Sequence, residues 1–71
     1  MAKRLKCWKK VSDEYWKNEN KTGLILDKCD NQWDVVLAIP GEEDLDLIYG
    51  TPSKKDATRF AKKYMEGHDT C

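Results

Sequence analysis

Between Ser53 and His68 the chain reads SKKDATRFAKKYMEGH, the one stretch with sustained helical periodicity. Ala57, Phe60, Ala61, Tyr64 and Met65 recur at i, i+3, i+4, i+7 and i+8, which sets them on one stripe of an α-helix. Ser53 is a natural N-cap, Asp56 stands three residues on where its charge suits the positive helix end, and Gly67 reads as the C-terminal cap. A helix over about 53–66 with one apolar face must cover something. The only material available is the strand-like text before it.

That text divides at its turn residues. Lys6 to Val11, then Tyr15 and Trp16, mix aromatic and β-branched residues with lysine around SDE, which gives two short strands or one bulged strand. NENKTG, Asn18 to Gly23, is a connecting turn, LILDKC follows as a strand, and Asp30-Asn31 suits a two-residue hairpin because both residues tolerate positive φ. QWDVVLAI is the strongest strand, with Trp33, Val35, Leu37 and Ile39 on one face and Asp34, Val36 and Ala38 on the other. Both faces are partly apolar, so it belongs inside the sheet. After the acidic turn PGEEDLD, LDLIYG supplies a last strand, and Thr51-Pro52-Ser53 starts the helix. The expected fold is α+β: an antiparallel β-meander of three to five strands within about 6–49, with one C-terminal amphipathic helix packed on one face. Residues 67–71 read as a mobile tail, and 1–71 as a single domain.

With 71 residues, such a domain buries only about 60 % of the surface its unfolded chain exposes. A core and an enclosed catalytic cleft compete for that volume, and the residues agree. His68 lies beyond the helix, Ser53 is accounted for as a cap, the glycines are scattered through turns, and no phosphate-cradling loop is present. The expectation is a protein that is not an enzyme and carries no cofactor. Cys7, Cys29, His68 and Cys71 would make a zinc-compatible set, but only His68 and Cys71 are closely spaced, so no metal is expected. Three widely spaced cysteines argue against a disulfide framework and for a reducing cytoplasm, with Cys7 and Cys29 as small apolar strand residues and Cys71 as an exposed thiol. No apolar run of signal-peptide or membrane-span type occurs, so no membrane partner is expected.

Thirteen basic and thirteen acidic side chains cancel, which removes any whole-protein field toward nucleic acid. The charges are nevertheless segregated. Lys3, Arg4, Lys6, Lys9 and Lys10 crowd the start, seven acids against Lys28 alone fill residues 27 to 46, and the helix is basic again. Opposite its apolar stripe stand Lys55, Arg59, Lys62 and Lys63, with like charges at i, i+4 that each cost roughly 0.2 to 0.5 kcal/mol. This face is either simply solvated or a grip on an anion. Trp8, Trp16, Trp33, Tyr15 and Tyr49 are many rings for so small a sheet. If the helix covers one face only, some must lie on the other, with Trp8 and Trp16 as candidate anchors for a partner.

Trp8, Trp16, Gly23 and Trp33, followed by a helix with the A-x₃-A-x₂-Y-M rhythm of Ala57, Ala61, Tyr64 and Met65, resemble small single-domain proteins of archaeal type without an assigned function. The resemblance implies a fold and no activity. In outline the order of strands then helix is also similar to three-stranded nucleic-acid-binding domains with a C-terminal helix. Two functional expectations follow. The first is a protein-interaction module or homodimer working through the uncovered sheet face. The alternative is nucleic-acid binding by the basic helix face and the lysine-rich N-terminus. For stability, Phe60→Ala is expected to cost about 3 to 5 kcal/mol, enough to threaten a domain this small.

Overall fold

The computed structural model describes residues 5–71; Lys3 and Arg4 of the basic N-terminus lie outside them. Five strands, β1 (Trp8–Ser12), β2 (Tyr15–Asn18), β3 (Gly23–Cys29), β4 (Gln32–Ala38) and β5 (Asp46–Thr51), precede one helix, α1 (Lys54–Gly67). The strands pair antiparallel in chain order, β1-β2-β3-β4-β5, so the sheet is an unbroken meander. This is the expected α+β arrangement, and β4 lies inside the sheet between β3 and β5.

Turn chemistry explains the tight connections. Cys29 pairs with Gln32 across the two-residue Asp30-Asn31 hairpin, and Asp30 takes φ 55°, in the left-handed region that Asp tolerates better than most residues. In the β2–β3 turn the Asn18 carboxamide accepts from the Asn20 N–H at 3.0 Å and the Asn20 carboxamide from the Thr22 N–H at 2.9 Å. These side chains replace backbone partners that the turn itself removes. In the β1–β2 turn Lys10 Nζ lies 3.0 Å from an Asp13 carboxylate oxygen. The hydrogen bond from Lys10, and then its charge, hold the Asp13 carboxyl below its ordinary value of 3.8. That small contribution is present above the ordinary value and fades as pH falls through the lowered one.

The helix begins as expected. Ser53 is the N-cap, and its hydroxyl accepts from the Asp56 N–H at 3.4 Å. The reciprocal half of a capping box is replaced, because the Ser53 N–H donates to Thr51 Oγ1 at 3.4 Å. At the other end Gly67 is the last helical residue rather than the cap; His68 occupies the cap, and its N–H donates to the Met65 carbonyl.

α1 lies against β3, β4 and β5. Leu24, Leu26, Val35 and Leu37 meet Ala57, Ala61 and Met65, all in one buried cluster. Two fully buried alanines on the helix let its backbone approach the sheet, and Met65 fills the remaining gap. Phe60 and Tyr64 flank this line half-buried. Phe60 stacks on Tyr49 with ring centroids 4.3 Å apart, at the rim of the core rather than its centre. The cost expected for Phe60→Ala is therefore revised downward, and the dominant burial passes to Leu24, Leu26, Val35 and Met65.

Residues 68–71 do not stand away from the domain. The Trp8 indole N–H donates to the His68 carbonyl at 3.1 Å, Asn18 Nδ2 donates to the Thr70 carbonyl at 3.1 Å, and the Asp69 carboxylate accepts from the backbone N–H groups of Lys6 and Cys7 at 2.8 and 2.7 Å. Cys7 and Cys71 form a disulfide across a sequence separation of 64. Three expectations change together. Against the expectation of unpaired cysteines, Cys7, just ahead of β1 and not a plain apolar strand residue, is bridged to Cys71; Cys71 is not a loose terminal thiol; and the segment read as a mobile tail is tied to β1 and β2. Cys29 alone is a free thiol among the described residues, exposed at the end of β3.

Candidate interaction surface on the uncovered sheet face

Strand alternation decides which side chains face away from α1. Trp8 pairs with Asn18, and Trp16 with Leu24, so both tryptophans share the side of buried Leu24 and join the core, each 6 % exposed. They are not anchors on the open face, as the aromatic count had suggested. The C-terminal segment returns beside Trp8, through the Trp8 to His68 bond and the Asn18 to Thr70 bond next to it. Trp33 and Tyr49 also lie on the helix side, since they pair with Thr51 and with buried Val35. Trp33 packs against the core, with Lys54 Nζ 5.2 Å from its ring centroid.

One aromatic remains on the open face. Tyr15 pairs with Ile25, Ile25 with Val36, and Val36 with Leu47. These four residues form a continuous apolar row across β2, β3, β4 and β5. Val36 is buried yet stands apart from the core cluster, whereas Leu47 is 63 % exposed and Leu45, just ahead of β5, 57 %. A Cβ at Gly23 would stand 3.0 Å from Tyr15 Cε1, so the glycine gives the ring room that a side chain would narrow. The phenol ring therefore lies over the glycine. At the β1 end Val11, 58 % exposed, shares a shallow depression with Lys9 and Lys17.

Two like-charged pairs flank the row. On one side Lys9 stands directly opposite Lys17, and on the other Asp27 stands directly opposite Asp34. Both pairs project from the open face, because their neighbours Trp8, Trp16, Leu26 and Val35 point into the core. Four residues of strand separate the level of Lys17 from that of Asp27, about 13 Å at the usual rise. Like charges directly opposite each other destabilise a sheet. Among the described residues the ion pairs are Lys10–Asp13 and Lys54–Glu14, so neither flanking pair is neutralised by an ion-pair partner. Asp34 receives one neutral hydrogen bond, from Gln32 Nε2 at 3.2 Å, an arrangement that Gly50 allows by leaving open the space above it.

The basic residues of α1 split between two places. Lys55, Arg59 and Lys62 line a shallow open groove with Lys54 and Thr58, while Lys63 borders a second depression with Arg59, Asp56, Tyr49 and Phe60. Lys54 is drawn toward Glu14, 3.5 Å away. Glu42, Glu43, Asp44 and Asp46 gather separately around the loop before β5. The molecule is therefore polarised, with the acids of that loop not paired to the helix lysines among the described residues.

Of the residues considered for chemistry, His68 stacks on Tyr64 and its Nδ1 lies 2.8 Å from the Tyr64 carbonyl, while Ser53 is committed to the helix cap. The zinc-compatible residues, on whose spacing no metal is expected, are not gathered in one place: Cys7 and Cys71 come together, Cys29 lies apart, and Glu19 takes a place beside the pair. No helix among the described residues is long and apolar enough to cross a membrane. Comparison with protein-family models, with curated proteins and with solved structures finds no match.

Proposed function

We propose that the protein is a small non-enzymatic binding module that pairs with a second copy of itself through the uncovered sheet face. The observation that carries this reading is the placement of a lysine pair and an aspartate pair on opposite sides of one apolar row. A two-fold axis lying in the interface exchanges the two ends of the face. Each copy then sets its lysines toward the other's aspartates, so both repulsions become attractions while the apolar rows leave water. The broad side of the molecule, 36 by 33 Å, is large enough for the roughly 800 Å² per partner that a standard interface buries. Tyr15, packed over Gly23, would enter such a contact already ordered.

Sedimentation velocity tests this reading. The expected result is a dimer that Leu47→Asp converts to a folded monomer, since Leu47 contributes little to the core. Lys9→Asp with Lys17→Asp should also give a monomer, and adding Asp27→Lys with Asp34→Lys should restore the dimer by exchanging the two ends. A wild-type protein that stays monomeric, or a dimer indifferent to Leu47→Asp, overturns it.

A second reading rests on the groove of Lys54, Lys55, Arg59 and Lys62, a concentration of positive charge with Glu14 as its one ion-pair partner among the described residues. Nucleic-acid binding there would weaken steeply with added salt as counterions are released. It would be lost on replacing Lys55, Arg59 and Lys62 by glutamine, a change that relieves like-charge repulsion and leaves the fold intact. A monomer that binds a single-stranded oligonucleotide only at low salt would favour this reading over the dimer.

A further inference from the structure

We infer that Cys7, Cys71 and Glu19, once the disulfide is opened, form a site for a thiophilic divalent cation such as Zn²⁺. The two sulfurs and a Glu19 carboxylate oxygen all lie within 4.8 Å of one another. Tetrahedral zinc with bonds of about 2.3 Å holds two thiolates about 3.8 Å apart. The Cys7 and Cys71 Cα atoms are 5.8 Å apart, so side-chain rotation alone can widen the sulfurs to that spacing. Two thiolates and a carboxylate are a donor set that zinc accepts, with a water in the fourth position.

What makes this a site rather than a broken bridge is the scaffold around it. The three ligand-bearing segments are fastened to one another without the covalent bond. Cys7 donates its N–H to Asp69, two residues before Cys71, and its carbonyl accepts from the Glu19 N–H at 3.0 Å. Trp8 holds the His68 carbonyl and Asn18 holds that of Thr70. Opening the disulfide leaves these bonds in place, so the sulfurs stay near each other and near Glu19. Cys7 is buried while Glu19 and Cys71 are exposed, which gives an ion a route in from solvent.

The chemistry balances. A dithiol reductant attacks one sulfur, the S–S bond breaks, and two electrons and two protons pass to the cysteines as the reductant closes its own disulfide. Zinc then displaces the two thiol protons to solvent, and the ion with two thiolates and one carboxylate carries a single net negative charge. The metal takes over the task of the bridge, so β1 and the C-terminal segment remain joined in either redox state.

Cobalt and zinc titration of the full chain tests this. The protein is reduced with a phosphine, freed of it, and titrated without oxygen with Co²⁺ and then Zn²⁺. The expected result is one equivalent of cobalt with the visible absorption of a tetrahedral thiolate complex, bleached by zinc, and a melting temperature that zinc raises. The oxidised protein should bind none, as should Cys71→Ser. Cys29→Ser should bind as wild type, and Glu19→Ala should weaken binding roughly tenfold or more. Absence of the thiolate band in the reduced wild type, its loss in Cys29→Ser, or unchanged affinity in Glu19→Ala overturns the inference.

Discussion

Leu24→Ala should lower the unfolding free energy by about 2 to 5 kcal/mol, because it removes a fully buried side chain and leaves a cavity that the sheet cannot collapse to fill. A domain of 71 residues has a total stability of roughly 4 to 11 kcal/mol, so this one change takes a large part of it. Phe60→Ala should cost less, about 1 to 2 kcal/mol, since that ring is only partly buried at the rim of the core, where it stacks on Tyr49. Urea unfolding of the two variants checks the order. If Phe60→Ala were the more damaging, the helix would be docked through its Phe60 side and not through Ala57, Ala61 and Met65.

Cys71→Ser should be comparably severe. A bridge that spans a sequence separation of 64 restrains most of the unfolded chain, and such a closure contributes about 2 to 4 kcal/mol. For a domain of this size that is a fall in melting temperature on the order of 10 to 30 °C. The wild type melted with a reductant and a metal chelator should match Cys71→Ser, and Cys29→Ser should match the oxidised wild type. A melting temperature indifferent to reductant would show that the bridge does not restrain the unfolded chain to the extent that this loop length implies.

The proposals on the open face and at the cysteines are separable in the same preparation. Leu47 lies on β5 and the disulfide joins the segment before β1 to the C-terminus. Loss of the dimer on Leu47→Asp with metal binding intact would assign the two properties to different parts of the surface.

Much of the fold was legible because its signals are local. The period of Ala57, Ala61 and Met65, the Ser53 cap and the Asp30-Asn31 hairpin each depend on residues a few positions apart, where steric and hydrogen-bonding preferences act without the rest of the chain. The candidate site was legible only in fragments. Val36 and Ala38 could be placed opposite Val35 and Leu37, but not aligned with Tyr15, Ile25 and Leu47. A one-residue change of register turns every side chain of a strand to the other face, and two tryptophans with lysine neighbours suit either face equally well. The pairing pattern and the returning tail put Trp8 and Trp16 inside. Cys7 and Cys71 mark the same limit. Nothing in their local sequence brings them together, and their meeting follows from a meander that starts near the point where the helix ends. Local physical chemistry determined the elements; packing across the whole chain decided which faces are dry, which charges face each other and which sulfurs meet.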